Sequence, residues 1–254
     1  AHPRVWERRP QAAVMVAGNG SAMIYARPGE PRTRRWPVER LRYPETFGGR
    51  VDLVEALARE HAVAFLAAES ENGDIWIGAQ SGEAHLRVRG AGITYEMRTG
   101  DPLHLGGSWR GTSRDWLERT SDGAYPDAAF HLFDQFRTHR SGDLLVIAKE
   151  GYDFRARFEV PEHRAGHGSM IRVHMQTPVW SSQPVSDLPL RTVDLFPAML
   201  HWLGITPPDG IDGEPVWMPA SASTPQISRD WRDNAEASGG ITSPDVRSRI
   251  KELT

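Results

Sequence analysis

Short apolar runs separated by glycines constrain the fold of this chain more than any other feature. Three of them alternate apolar and polar side chains, at residues 74–80, 82–89 and 92–98. Alternation of this kind is typical of strands with one buried face, and glycines at the boundaries allow tight connections. Together with the apolar run at residues 62–67, these segments predict an antiparallel meander.

Other segments predict further strands and several helices. Residues 144–148 are continuously apolar, which is typical of a fully buried strand. Gly18-Asn19-Gly20 separates two more apolar runs and predicts a strand, a turn and a strand over residues 12–25. Helical periodicity is present at residues 51–61, 113–120, 127–139 and 192–203.

The order of these elements predicts an α/β fold in which an antiparallel insert interrupts a mainly parallel core. We expect residues 1–25 to form the first part of an α/β core half, and residues 26–136 to form a cap-like insert. Residues 137–217 would form the second part of the core, as a mainly parallel sheet flanked by helices. Residues 218–254 are rich in polar residues and predict a surface tail.

Composition excludes several classes of function. The net charge of −3 gives no sign of a nucleic-acid surface, and no apolar run reaches the roughly 18 residues of a membrane span. The absence of cysteine excludes disulfides, thiolate zinc sites and cysteine nucleophiles. We expect a soluble chain, and the composition does not choose between cytoplasm and periplasm.

The strongest candidate for chemistry is His167, which lies in the segment Gly166-His167-Gly168-Ser169. Glycine on both sides leaves the imidazole unobstructed by neighbouring β-carbons and gives the backbone conformations that other residues rarely adopt. A neutral imidazole is also a good zinc ligand. The segment therefore predicts a loop that presents one histidine to a metal ion or an oxyanion.

Several motifs around this loop occur in a fixed order. They are Leu144-Leu145-Val146-Ile147-Ala148, Gly151-Tyr152-Asp153-Phe154, the His167 segment, Thr192-Val193-Asp194-Leu195-Phe196-Pro197, Leu203-Gly204-Ile205 and Ile211-Asp212-Gly213. This series resembles the C-terminal half of alkaline phosphatase superfamily enzymes, in particular the type I phosphodiesterase / nucleotide pyrophosphatase branch. The Ala17-Gly18-Asn19-Gly20-Ser21-Ala22 segment fits the same branch, so the resemblance covers roughly residues 12–217.

The resemblance implies an alkaline-phosphatase-like α/β sandwich and a metal-dependent hydrolase of phosphodiesters or nucleotide pyrophosphates. Such enzymes use two zinc ions and a Ser or Thr nucleophile on a small phosphate-ester substrate. His167 matches the last zinc ligand of that pattern, whereas the Asp-His-Gly ligands have no counterpart in this chain. We therefore expect a missing N-terminal half to supply the nucleophile and the other ligands, and this chain alone to be inactive.

Weaker candidates have structural alternatives. His163 is expected to support a metal ligand, to bind the substrate phosphate or to form a loop hydrogen bond. Asp127 and His131 have the Asp-x-x-x-His spacing, but their context favours the start of an amphipathic helix over a ligand pair. Three further aspartates are expected to stabilise turns or a helix start, namely Asp101, Asp153 and Asp194.

Two other classes of protein remain open at this stage. A sulfatase-like hydrolase shares the residues 192–213 motifs, but it needs a Cys or Ser in a Cys/Ser-x-Pro/Ala-x-Arg segment, and no convincing version is present. A non-catalytic, truncated scaffold is the second alternative. It predicts an exposed sheet edge.

Overall fold

The computed structural model describes residues 12–26, 34–45, 48–154, 165–181 and 187–214. The chain divides into two compact units, Ala1–Val179 and Trp180–Thr254. Among the described residues, the first unit contains one open sheet with helices on both faces, and the second contains one short helix. The fold is therefore mixed α/β, as predicted.

The sheet has eight strands within the described residues. They are β1 (Ala13–Ala17), β2 (Ser21–Tyr25), β3 (Val63–Glu69), β4 (Ile75–Ala79), β5 (Gly82–Arg89), β6 (Gly92–Met97), β7 (Trp109–Thr112) and β8 (Leu144–Ala148). Their spatial order is β1-β2-β8-β3-β4-β5-β6-β7, and every neighbouring pair is antiparallel.

The helices of the first unit are α1 (Val38–Arg42), α2 (Leu53–Ala58), α3 (Ser113–Thr120), α4 (Ala128–Arg137) and α5 (Arg172–Met175). The second unit has a 3-10 turn, Thr192–Asp194, followed by α6 (Leu195–Trp202). Side chains fix where two of these helices begin. Asp52 accepts a hydrogen bond from the amide of Glu55, and Thr112 and Asp115 form a capping box.

The predicted meander over residues 62–98 is confirmed, because β3 to β6 are neighbours in sequence order, and β7 extends it by a strand that was not predicted. The predicted parallel sheet over residues 137–217 is wrong. The described part of this segment contributes one strand, β8, which lies between β2 and β3 and is antiparallel to both. A continuous apolar run indicates burial on two faces, and all five residues of β8 are indeed buried. It does not indicate strand direction, since helices can cover both faces of an antiparallel sheet as well.

Successive residues of the central strands point into two different cores. Leu145 and Ile147 of β8 pack in one core with Trp116 of α3 and Leu132 of α4. Leu144 and Val146 pack in the other core, together with Val38 and Leu41 of α1 and Val54 of α2. Strands β3 and β8 are thus sandwiched between two helical layers, which places the most apolar segments at the centre of the unit.

All three predicted segments contribute strands to the same sheet. Strands β1 and β2 come from residues 1–25, β3 to β7 from residues 26–136, and β8 from residues 137–217, yet all belong to one sheet. The predicted surface tail, residues 218–254, lies outside the described residues. No helix in the described ranges combines the length and the apolar character that crossing a membrane requires.

A buried tyrosine makes the stability of the sheet depend on pH. The hydroxyl of Tyr95 donates to Oδ1 of Asp101 over 2.8 Å, and burial followed by this hydrogen bond raises the pKa of Tyr95 far above its usual value near 10. The folded protein therefore holds this proton more tightly than the unfolded chain. Asp101 also accepts a hydrogen bond from the amide of Gly106, which confirms its predicted turn role.

We expect this contribution to be complete below about pH 10 and to be lost as the pH rises further, because the unfolded tyrosine then loses its proton. Urea unfolding between pH 8 and 11.5 should show falling stability. In Tyr95→Phe, the free energy of unfolding should fall less steeply with pH. Part of the decrease should remain, because burial also raises the pKa of Tyr125. An unchanged slope in Tyr95→Phe would contradict this assignment.

Candidate functional site

The loop that carries His167 docks on the turn between β1 and β2. The amide of His167 donates to the carbonyl of Gly18, and the amide of Gly20 donates to the carbonyl of His167, each over 3.0 Å. The two hydrogen bonds form an isolated parallel bridge between Asn19 and His167. Two motifs that lie far apart in the sequence are therefore joined main chain to main chain.

Glycines make this close approach possible. A β-carbon on Gly18, whose φ is +56°, would lie 2.2 Å from Nδ1 of His167. A β-carbon on Gly20 would lie 2.6 Å from the amide nitrogen of Ser169. Gly168 has a φ of +84°, and its β-carbon would lie 2.5 Å from the carbonyl oxygen of Ala17. The imidazole thus packs on the bare backbone of the turn.

Glycine is required at one of the two positions that flank His167. Gly168 has a positive φ and a close backbone contact, so a side chain there is excluded. Gly166 differs, since an added β-carbon would meet only Cε1 of His174, at an ordinary distance of 3.9 Å. The positions that require glycine are Gly18, Gly20 and Gly168.

The end of β8 anchors the same loop. Ser169 is buried, its hydroxyl accepts a hydrogen bond from the amide of Ile171 over 3.1 Å, and it lies 3.5 Å from the carbonyl oxygen of Ala148. The amide of Ala148 donates to the carbonyl of Gly20 over 3.0 Å. Three chain segments therefore meet at one end of the sheet, which leaves the His167 backbone little freedom.

The His167 side chain is exposed above this fixed backbone. His174, in the short helix α5, lies close to the loop, and its Nδ1 is buried without a hydrogen-bond partner among the described residues. Sequence reasoning missed His174, because no spacing rule relates it to His167. A buried ring nitrogen without a partner is unfavourable, so an added proton acceptor or metal ion at this position would stabilise the site.

The imidazoles of His167 and His174 suit zinc by donor chemistry, because neutral ring nitrogens are good zinc ligands. They do not form a complete centre. Within the described residues, no three His, Cys, Asp or Glu side chains are grouped so that they could hold a metal ion. What the structure provides is one exposed imidazole on a backbone held by hydrogen bonds, with a second histidine beside its loop.

The other candidate residues occupy structural positions. Asp127 is buried at the start of α4, and its Oδ2 lies 3.6 Å from Nε2 of His131. The helix prediction is confirmed, since Ala128, Leu132 and Phe136 form the buried face of α4. The pair lies within ion-pair distance, but among the described residues no third ligand joins it.

Asp194 has the structural role that the sequence predicted. Its two oxygens accept hydrogen bonds from the amides of Arg191 and Glu214, at 2.8 and 3.0 Å, so it stabilises the start of the helical segment in the second unit. Asp153 lies in the loop that follows β8. His163 lies outside the described residues.

Comparison of the chain with protein-family models, with curated proteins and with solved structures gives no significant match. The resemblance to the alkaline phosphatase superfamily therefore rests on the sequence motifs alone.

Proposed function

We propose that this chain is part of a metal-dependent phosphohydrolase of the phosphodiesterase / nucleotide pyrophosphatase type, and that His167 is one of its zinc ligands. The observation that carries the proposal is the docking of the His167 loop on the Gly18-Asn19-Gly20 turn. Both segments belong to the motifs that suggested the family. Their contact explains why glycine is needed in both, because a β-carbon on Gly18 would displace the imidazole.

The geometry supports a ligand role better than a structural one. A structural histidine is normally buried and hydrogen-bonded, whereas the imidazole of His167 is exposed and its backbone is held on both sides by hydrogen bonds. A rigid backbone lowers the entropy lost when the ring is fixed by a metal ion. His174, which lies beside Gly166 of the same loop, provides a second imidazole whose buried Nδ1 has no partner within the described ranges.

Bound zinc would supply Lewis-acid stabilisation of the attacking and leaving oxygens of a small phosphate ester. The chain's own contribution in this proposal is to orient the His167 ring and to keep it accessible to substrate. His163 is assigned to the substrate phosphate in the same proposal, and the finer fold, an alkaline-phosphatase-like sandwich with a cap-like region, belongs to it as well. The remaining ligands and the nucleophile come from outside the described residues.

Zinc binding by the purified chain tests the assignment of His167. His167→Ala should weaken zinc binding by roughly tenfold or more, because the variant lacks one of the bonds between a ligand nitrogen and zinc. His139→Ala is the matched control, because His139 is also exposed but belongs to the segment after α4; its affinity should stay within about twofold. Competition with a chromophoric chelator measures both affinities. Equal zinc affinity in wild type and His167→Ala would refute the ligand role.

Turnover tests whether the site is complete. We expect no hydrolysis of bis(p-nitrophenyl) phosphate by this chain with added zinc, because a two-metal site needs more ligands than the described residues bring together. If the chain binds two zinc ions tightly and turns the substrate over steadily, and His167→Ala loses both properties, the enzyme assignment stands. The expectation that the site is incomplete is then wrong.

A further inference from the structure

Strand β1 lies at the edge of the sheet and exposes apolar side chains on both of its faces. Among the described strands it pairs with β2 alone. Val14, Met15 and Val16 are 60%, 62% and 42% exposed, although consecutive residues of a strand point to opposite faces. The described residues therefore cover neither face of β1 completely.

Natural edge strands usually carry features that prevent pairing with another chain, such as charges, prolines, bulges or short length. The opposite edge of the sheet has such protection, because β7 is only four residues long and carries the exposed Arg110. Strand β1 has neither a charge nor a proline between Ala13 and Ala17, and its register with β2 contains no bulge. Its outer edge is thus suited to accept another strand.

The sequence of β1 also indicates which strand would fit. Ala13-Val14-Met15-Val16-Ala17 reads identically in both directions. In an antiparallel pair centred on Met15, each Met15 lies opposite Met15 of the second copy, valine lies opposite valine, and alanine opposite alanine. Any two identical strands that pair antiparallel are related by a two-fold axis. The palindrome adds that valine lies opposite valine across this axis, and such pairs are favourable.

We propose that β1 pairs antiparallel with β1 of a second copy, so that two chains form a homodimer with one continuous sheet. The exposed valines and methionines then cover one another on both faces of the new sheet. Because the strands run in opposite directions, the two turns that follow Ala17 lie at opposite ends of the pair. The pairing uses β1 alone, so the dimer does not depend on the proposed function.

Charges at the two-fold centre test the pairing without disturbing the fold, since Met15 is exposed. Sedimentation velocity of the full chain should give a dimer for wild type and a monomer for Met15→Lys or Met15→Glu alone, because like charges then face each other directly. An equimolar mixture of the two variants should form a mixed dimer. Arg110→Glu, at the opposite edge, is the control and should remain dimeric.

A cross-link provides an independent measurement, because the chain has no cysteine of its own. Directly opposite residues in an antiparallel pair are close enough for a disulfide. Met15→Cys should therefore form a covalent dimer on mild oxidation, whereas Arg110→Cys should not. The proposal is overturned if the wild-type chain stays monomeric at all concentrations up to roughly 100 μM, because specific interfaces associate more tightly than that. It is also overturned if Met15→Lys remains dimeric.

Discussion

Replacing Asp143 by alanine should lower the free energy of unfolding by about 3 to 4 kcal/mol, the loss expected when two charge-assisted hydrogen bonds to buried amides are removed. Asp143 is buried, and its two carboxylate oxygens accept hydrogen bonds from the amides of Ala26 and Trp36, each over 2.8 Å. The alanine variant leaves both buried amides without this acceptor, which is costly in the protein interior.

The position of Asp143 explains why this loss should be large. The residue directly precedes β8, Ala26 directly follows β2, and Trp36 belongs to the core beneath α1. One carboxylate therefore joins two neighbouring strands to the segment that leads into a covering helix. Asp143→Asn should lose less than the alanine variant, because its amide group retains one acceptor oxygen.

Urea unfolding followed by circular dichroism measures the effect. Asp134→Ala is a suitable control, since Asp134 is an exposed carboxylate of α4 whose ion pair with Arg137 spans 3.3 Å at the surface. That variant should change the stability by no more than about 0.5 kcal/mol. A loss below about 1 kcal/mol for Asp143→Ala would show that the buried amides find other partners.

Local patterns in the sequence predicted the elements of this fold and the pairing of the meander, but not the position and direction of β8. The strands at residues 74–98 followed from alternation and glycine boundaries, and α4 followed from the spacing of its apolar residues. The direction of β8 did not follow, because its continuous apolar run reports only that both faces are buried. Pairing depends on contacts with β2 and β3, which are distant in sequence.

The candidate site was also predicted only in part. The glycines beside His167 predicted a loop that presents the imidazole, and Gly168 indeed has a positive φ. The contact of this loop with the Gly18-Asn19-Gly20 turn was not predictable, because each segment alone reads as an ordinary turn. His174 was missed for a related reason, since only tertiary packing leaves its buried Nδ1 without a partner among the described residues.

Gly18→Ala should weaken zinc binding by roughly tenfold or more, about as much as removing an outer-shell contact that orients a ligand. The new β-carbon would lie 2.2 Å from Nδ1 of His167, far inside van der Waals contact, so the ring must move. It would also lie 2.6 Å from the His167 carbonyl oxygen, which accepts the hydrogen bond from Gly20. Both the ring and its supporting backbone are displaced.

Gly90→Ala is the control that separates the displacement of the His167 ring from the effect of backbone strain. Gly90 has a φ of +58°, almost the same as the +56° of Gly18, but an added β-carbon there meets nothing within 4 Å. In both variants, an alanine in the left-handed region therefore destabilises the fold by about 1 to 2 kcal/mol. Only Gly18→Ala also moves the imidazole. The nuclear magnetic resonance signals of the His167 ring should shift in Gly18→Ala alone, together with the loss of zinc affinity. If both variants bind zinc equally well, the turn does not position His167, and the contact on which the proposed function rests has no bearing on metal binding.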